Sequence, residues 1–163
     1  MRAHMAFMAF VVLSLGSCRA HYSWVNVDAA DPTSSALTSS DHRIVFSESE
    51  RRAAVSVAAS VAERLGLRSS SMRELLPSRT TAENPFRELA LFQGSGSSRN
   101  LLLTVAVKDD GSVLRFWISD LDHSQQTELV RELVSALKEE LTRIFPNQRI
   151  TVGDGRKLRI YAG

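Results

Sequence analysis

The sequence predicts an α+β fold, a two-layer sandwich of a mainly antiparallel sheet with two helices on one face. Three observations predict it. Two stretches, near residues 48–65 and 125–144, repeat apolar residues at helical spacing as single stripes. Several shorter runs alternate apolar and polar residues with the period of a half-buried strand. The resulting order, β-α-β-β-β-α-β-β, pairs single-striped helices with an alternating sheet, which is the two-layer solution. A ferredoxin-like split βαβ arrangement with extra strands satisfies the same order. The chain has 163 residues, enough for one domain to bury a core without staples.

The first element is not part of that domain. Arg2 gives a positive start, Met5 to Leu15 reads MAFMAFVVLSL, and the small residues Gly16 and Ser17 follow. That succession has the form of a secretory signal peptide. The apolar run is too short to span about 30 Å of hydrocarbon, which needs ~20 residues. Next comes Cys18, the single cysteine of the chain. Leu15-Gly16-Ser17-Cys18 resembles the lipobox of bacterial lipoproteins, a resemblance confined to the first 18 residues. It implies a signal peptide over 1–17, a diacylglyceryl thioether on Cys18, cleavage just before it, and acylation of the new amine, palmitate being the expected chain. Two or more chains make a durable membrane anchor where one holds weakly. The aspartate that signals inner-membrane retention in that family is replaced by Arg19, so the resemblance implies the outer membrane, with the domain facing the periplasm. The competing expectation is ordinary cleavage after Ala20, releasing a soluble secreted domain.

Residues 18–41 read as the lipidated cysteine and a flexible tether, because the stretch is rich in Ser, Asp, Ala and Thr without a sustained period. Tyr22, Trp24 and Val25 are out of character there. They are expected to pack back on the domain or to lie in the lipid interface, or else to form a docking segment.

A single α+β domain is expected over 42–163. Arg43 to Phe46 reads as a first strand. Ser47-Glu48-Ser49-Glu50 is a capping box that opens a helix running to about Leu65, with Ala54, Val57, Ala58, Val61 and Leu65 on one stripe and Gly66 at the left-handed C-cap position. Residues 67–87 read as a loop with one short helical turn near 71–76, and Glu88 to Gln93 as a strand. Leu101 to Lys108, the turn Asp109-Asp110-Gly111, and Val113 to Ser119 make a hairpin. The second helix is expected from Ser124 or Gln125 to Ile144, capped by Asp122 or Ser124 and ended before Pro146. Residues Arg149–Val152, the turn Gly153-Asp154-Gly155 and Lys157–Ala162 are expected to close the sheet as a hairpin.

Charge excludes little and favours little. Removing residues 1–17 leaves 19 basic against 18 acidic residues, and no basic stripe with interleaved aromatics marks a nucleic-acid surface. No cofactor is expected. No G-x-S-x-G elbow occurs, and no catalytic set is assigned. Asp120, Asp122 and His123 are the most suggestive cluster: two carboxylates and an imidazole at a strand-to-helix junction, the basis of an alternative reading as a metal-assisted hydrolase. Aspartate and serine in that place are also ordinary helix caps, and the wider ligand spacing of known metal sites is missing, so no metal is assigned. The favoured candidate is an interaction surface. If the helices cover Leu114, Phe116 and Ile118, then Arg115 and Trp117 lie on the open face. Arg159 and Tyr161 of the closing strand share that face by parity. Trp, Tyr and Arg are the side chains enriched at binding hot spots. The expected function is thus a non-enzymatic binding or adaptor domain, tied to a membrane by its anchor and partnered by an envelope protein or component.

Overall fold

The computed structural model describes residues 19–29, 45–70, 85–123 and 125–158. Their elements are β1 (Arg19–Asp28), α1 (Glu48–Arg64), β2 (Arg68–Ser70), β3 (Phe86–Gln93), β4 (Leu101–Lys108), β5 (Val113–Asp120), α2 (Glu128–Ile144) and β6 (Arg149–Leu158). The six strands form one sheet in the order β2-β3-β4-β5-β1-β6, and every neighbouring pair is antiparallel. The predicted α+β two-layer sandwich is therefore the fold. Since β5 and β6 both run against β1, they run parallel to each other on either side of it. With α2 joining them they make a split βαβ unit. The corresponding unit through α1 is wider, because β3, β4 and β5 separate β2 from β1.

One face of this sheet is the core. Val25 and Val27 of β1, Leu103 and Val105 of β4, and Leu114, Phe116 and Ile118 of β5 are wholly buried. Register places them in rows, Val25 beside Phe116 and Phe116 beside Val105, Val27 beside Leu114. The helices cover these rows with Ala54, Ala58, Val61 and Ala62 from α1 and Val130, Leu133, Leu137 and Leu141 from α2. The α1 stripe is mostly alanine, so that helix can approach its neighbours closely, while the leucines of α2 fill a larger space. Each fully buried leucine contributes about 1.5–3 kcal/mol of transfer free energy. Phe46 and Phe145 close one end, edge to face, with centroids 5.6 Å apart.

The helix ends follow local chemistry. The Ser47 hydroxyl accepts from the Glu50 N–H at 3.3 Å, and the Glu50 carboxylate accepts from the Ser47 N–H at 2.7 Å, completing the expected capping box. Gly66 takes φ +79° just after the C-cap, as a left-handed terminator should. At α2 the cap differs from expectation. Thr127 holds it, its hydroxyl accepting from the Val130 N–H at 3.4 Å, and the helix begins at Glu128 instead of Ser124 or Gln125. Of the expected caps, the Asp122 carboxylate is held by Asn100 instead, and Ser124 lies outside the described residues.

Three further expectations are corrected. The first part of the supposed tether is β1: residues 19–28 are paired along one edge with β5 and along the other with β6. Val45 and Phe46, expected in a strand, have no strand pairing; Phe46 is buried and its N–H donates to the Gly111 carbonyl at 2.9 Å. The closing hairpin does not form. β6 runs unbroken through Gly153-Asp154-Gly155, because those glycines lie under Trp24 across the ladder. A Cβ at Gly153 would stand 2.5 Å from the indole carbons, and at Gly155 3.6 Å. They are thus spaces for an indole, not turn residues. The short helical turn expected near 71–76 lies outside the described residues, as do residues 30–44.

This packing explanation is directly testable. Gly153→Ala should cost about 1–3 kcal/mol by overpacking, and most of that cost should vanish in a Trp24→Ala background. Urea denaturation of the four proteins of the cycle measures it; an equal cost in both backgrounds would mean a backbone effect instead.

Candidate functional site

The face of the sheet turned away from the helices carries the residues singled out from the sequence. In β5, strict alternation sends Leu114, Phe116 and Ile118 into the core and leaves Val113, Arg115 and Trp117 half-exposed on the other side. Arg115 and Trp117 are therefore brought together as expected. Arg159 and Tyr161 lie outside the described residues, and so does Cys18.

Around Trp117 an aromatic surface forms from residues expected in the tether. Trp24 stands directly opposite Trp117 in the β1–β5 register, and the two rings stack with centroids 6.0 Å apart and planes 25° from parallel. Tyr22 meets Trp117 edge-on at 5.7 Å. Such pairs contribute about 0.5–1.5 kcal/mol each beyond their area. Trp24 lies flat against β6 because Gly153 and Gly155 offer no side chains. Arg115 is held in the same surface. Its Nε donates to Asn26 Oδ1 at 2.9 Å, and its guanidinium lies 4.0 Å from the Phe86 centroid and 5.7 Å from that of Trp117. A bulge in β3 between Glu88 and Ala90 makes this possible. It keeps Phe86 and Glu88 on the aromatic face while turning Ala90 and Phe92 toward the helices.

One row across this face is polar: Glu88, Ala106, Arg115 and Asn26 are successive register partners. Burial pushes the Glu88 carboxyl above its ordinary range and lowers the Arg115 pKa. Glu88 Oε2 has no hydrogen-bond partner among the described residues. The surface thus holds a fixed cation against rings, with an acid that resists ionisation two strands away, across Ala106 of β4. It can stack planar or apolar groups and donate to acceptors from Arg115.

The Asp120, Asp122 and His123 cluster has a different geometry from the one a metal needs. The buried Asp120 carboxylate accepts from His123 Nδ1 at 2.9 Å, from the Thr127 hydroxyl at 3.3 Å and from the Asp122 backbone N–H at 3.2 Å. The Asp122 carboxylate turns away and accepts from Asn100 Nδ2 at 2.8 Å. Among the described residues no three His, Cys, Asp or Glu side chains come together as a metal-holding group. Beside it, in the covered face, His21 Nε2 lies 3.2 Å from Ser23 Oγ, which also accepts from Gln126 Nε2 at 3.2 Å. His21 Nδ1 is buried without a hydrogen-bond partner among the described residues. These bonds fasten the loop before α2 to the first residues of β1. At the opposite end, a shallow opening of about 390 Å³ lies between Ser49, Glu50, Ala53 and the turn Phe145–Gln148; Glu50, its one ionisable group, is already used by the capping box.

The sequence reading missed Tyr22, Trp24 and Asn26 as members of this surface. The signal was present: in HYSWVNV, Tyr22, Trp24 and Asn26 alternate with Ser23, Val25 and Val27, the period of a strand. No protein-family profile, curated protein or solved structure matches the chain.

The half-buried Glu88 has a pH signature. A carboxyl whose folded pKa is raised binds its proton more tightly in the folded state, so its contribution is intact below the ordinary value of 4.5 and is lost as pH rises through the folded value. Glu88→Gln should therefore melt at a higher temperature than the parent at pH 7, with the difference closing by about pH 4. Calorimetry across that range checks it; a variant less stable at pH 7 would show that the carboxylate has a stabilising partner.

Proposed function

We propose that the chain is a lipid-anchored envelope lipoprotein whose folded domain, on the periplasmic side of the outer membrane, is a non-enzymatic binding or adaptor module. The observation that carries the anchor is where β1 begins. Cleavage before Cys18 leaves that strand whole. Cleavage after Ala20 would remove its first two residues, Arg19, which pairs with Leu158, and Ala20, which is 2% exposed. The domain's own architecture thus favours retention of the residues immediately after the cysteine. In the lipoprotein family that the first 18 residues resemble, that cysteine is the acylated one, and no described helix is long and apolar enough to cross a membrane.

The binding role is supported by the face built from Tyr22, Trp24, Arg115 and Trp117. Half-exposed Trp and Arg side chains already held in place lose little freedom on association, and they are the types that dominate binding energy. The partner on this reading is a protein or other component of the envelope.

Two outcomes are expected. Cys18→Ser should abolish palmitate incorporation and release the protein from the membrane fraction; unchanged fractionation would overturn the anchor. Trp117→Ala should leave far-ultraviolet circular dichroism unchanged while weakening the affinity for an envelope component crosslinked at this face by roughly 30-fold, the effect of losing ~2 kcal/mol at a hot spot. Undiminished binding by both Trp117→Ala and Arg115→Ala would rule the face out.

A further inference from the structure

We infer that the anchor has no spacer, so that one end of the sheet rests on the bilayer surface and the strands stand up from it. The inference rests on the proposed acylation of Cys18. The next residue, Arg19, is already strand, paired with Leu158, and β1 is an interior strand of the sheet. A tether of the length expected from composition would let the domain rotate freely above the membrane. With no residue between the acylated one and the ladder, the end of β1 is held at the headgroups.

Register identifies what shares that end. Asp120 pairs with both His21 and Leu101, and Gln93 pairs with Leu102. The loops that close this end are therefore 94–100 and 121–127, together with the α1–β2 turn at 65–67, since Arg68 pairs with Gln93. The second is tied to the anchor strand itself through Gln126 and Ser23, and to the end of β5 through His123, Thr127 and Asp120. The composition of these loops suits a headgroup surface. The 94–100 loop is GSGSSRN, with Arg99 its one charge, and 121–127 adds Asp122, His123, two glutamines and hydroxyls. Large exposed apolar side chains are absent from the described residues of both loops, so the end lies on the bilayer and does not penetrate it. The turn at the far end carries the exposed Asp109, which an anionic surface would repel, while Asp110 is paired with Lys108 at 2.9 Å.

The geometry sets heights. At about 3.3 Å per residue, Trp24 lies ~17 Å along β1 from Arg19. The Asp109–Ser112 turn, beside Asp28 in the register with Val113, lies roughly 30 Å away. The aromatic face then stands perpendicular to the membrane at mid-height, and it is open to a partner arriving from the side.

The test uses the full acylated chain in phosphatidylcholine–phosphatidylglycerol vesicles bearing a nitroxide on the headgroup. A fluorophore is placed on Ser97→Cys or, separately, on Asp109→Cys; both positions are exposed. The Ser97 label should be quenched several-fold more than the Asp109 label. A glycine–serine insert of about twelve residues between Cys18 and Arg19, ~20 Å in mean reach, should bring the two labels toward equality while the protein stays on the vesicles. Equal quenching of both labels without the insert would overturn the inference. Mass spectrometry and detergent-phase partitioning read the acylation independently. A chain without acyl mass overturns the anchor itself, whereas an acylated chain with equal quenching overturns only the orientation.

Discussion

Strand β1 is hydrogen-bonded along both edges, and the rest of the structure depends on that double pairing. It joins the β2-β3-β4-β5 meander to β6, which no other described strand touches. Remove β1 and the split βαβ unit through α2 loses its middle, and Val25 and Val27 leave the core at the place where Phe116 and Leu114 need neighbours. The strand also serves both faces. Val25 and Val27 lie in the core under the helices, while Tyr22, Trp24 and Asn26 build the opposite surface.

The two faces are stabilised in different ways. Under the helices the sheet is apolar, except at the end where His21, Ser23 and Asp120 are buried together. There polar side chains bond to Gln126, His123 and Thr127, as burial of polar groups requires. The other face holds its shape through rings. Trp24 fits over two glycines, Trp117 stacks on Trp24, and Arg115 is clamped between Asn26 and Phe86. Rings fixed by one another present a rigid surface, and a rigid surface is what association with a partner uses most efficiently. The bulge in β3 adds Phe86 and Glu88 to it by a one-residue change of register, without altering the covered side.

On the proposed reading, anchor and binding face are parts of one strand. The acylated residue would continue directly into Arg19, and Trp24 follows within the same ladder. A partner engaged at the aromatic face would be held at a set height and orientation relative to the membrane, in contrast to a partner captured by a domain on a long flexible linker.

Much of this was written into local sequence. The capping box at Ser47, the alanine and leucine stripes of α1 and α2, the hairpin at Asp109–Gly111 and the alternation of β5 are all decided by neighbours within a few residues, and each stands where expected. The assignment of Arg115 and Trp117 to the face away from the helices follows from that alternation alone. Tertiary structure decided the rest. Residues 19–28 are polar and apolar in turn and become a strand because two partner strands, more than 80 residues away in sequence, satisfy both of their edges. Gly153 and Gly155 have the composition of a turn, yet they lie in extended chain, where the indole of Trp24 occupies the space a Cβ at Gly153 would need and touches Gly155. Asp120 and His123 stay bonded to each other, but the Asp122 carboxylate, close in sequence, is drawn away from them by Asn100. Local periodicity reports which face a residue prefers; what stands on the other side of that face is a long-range contact, and no short window of sequence contains it.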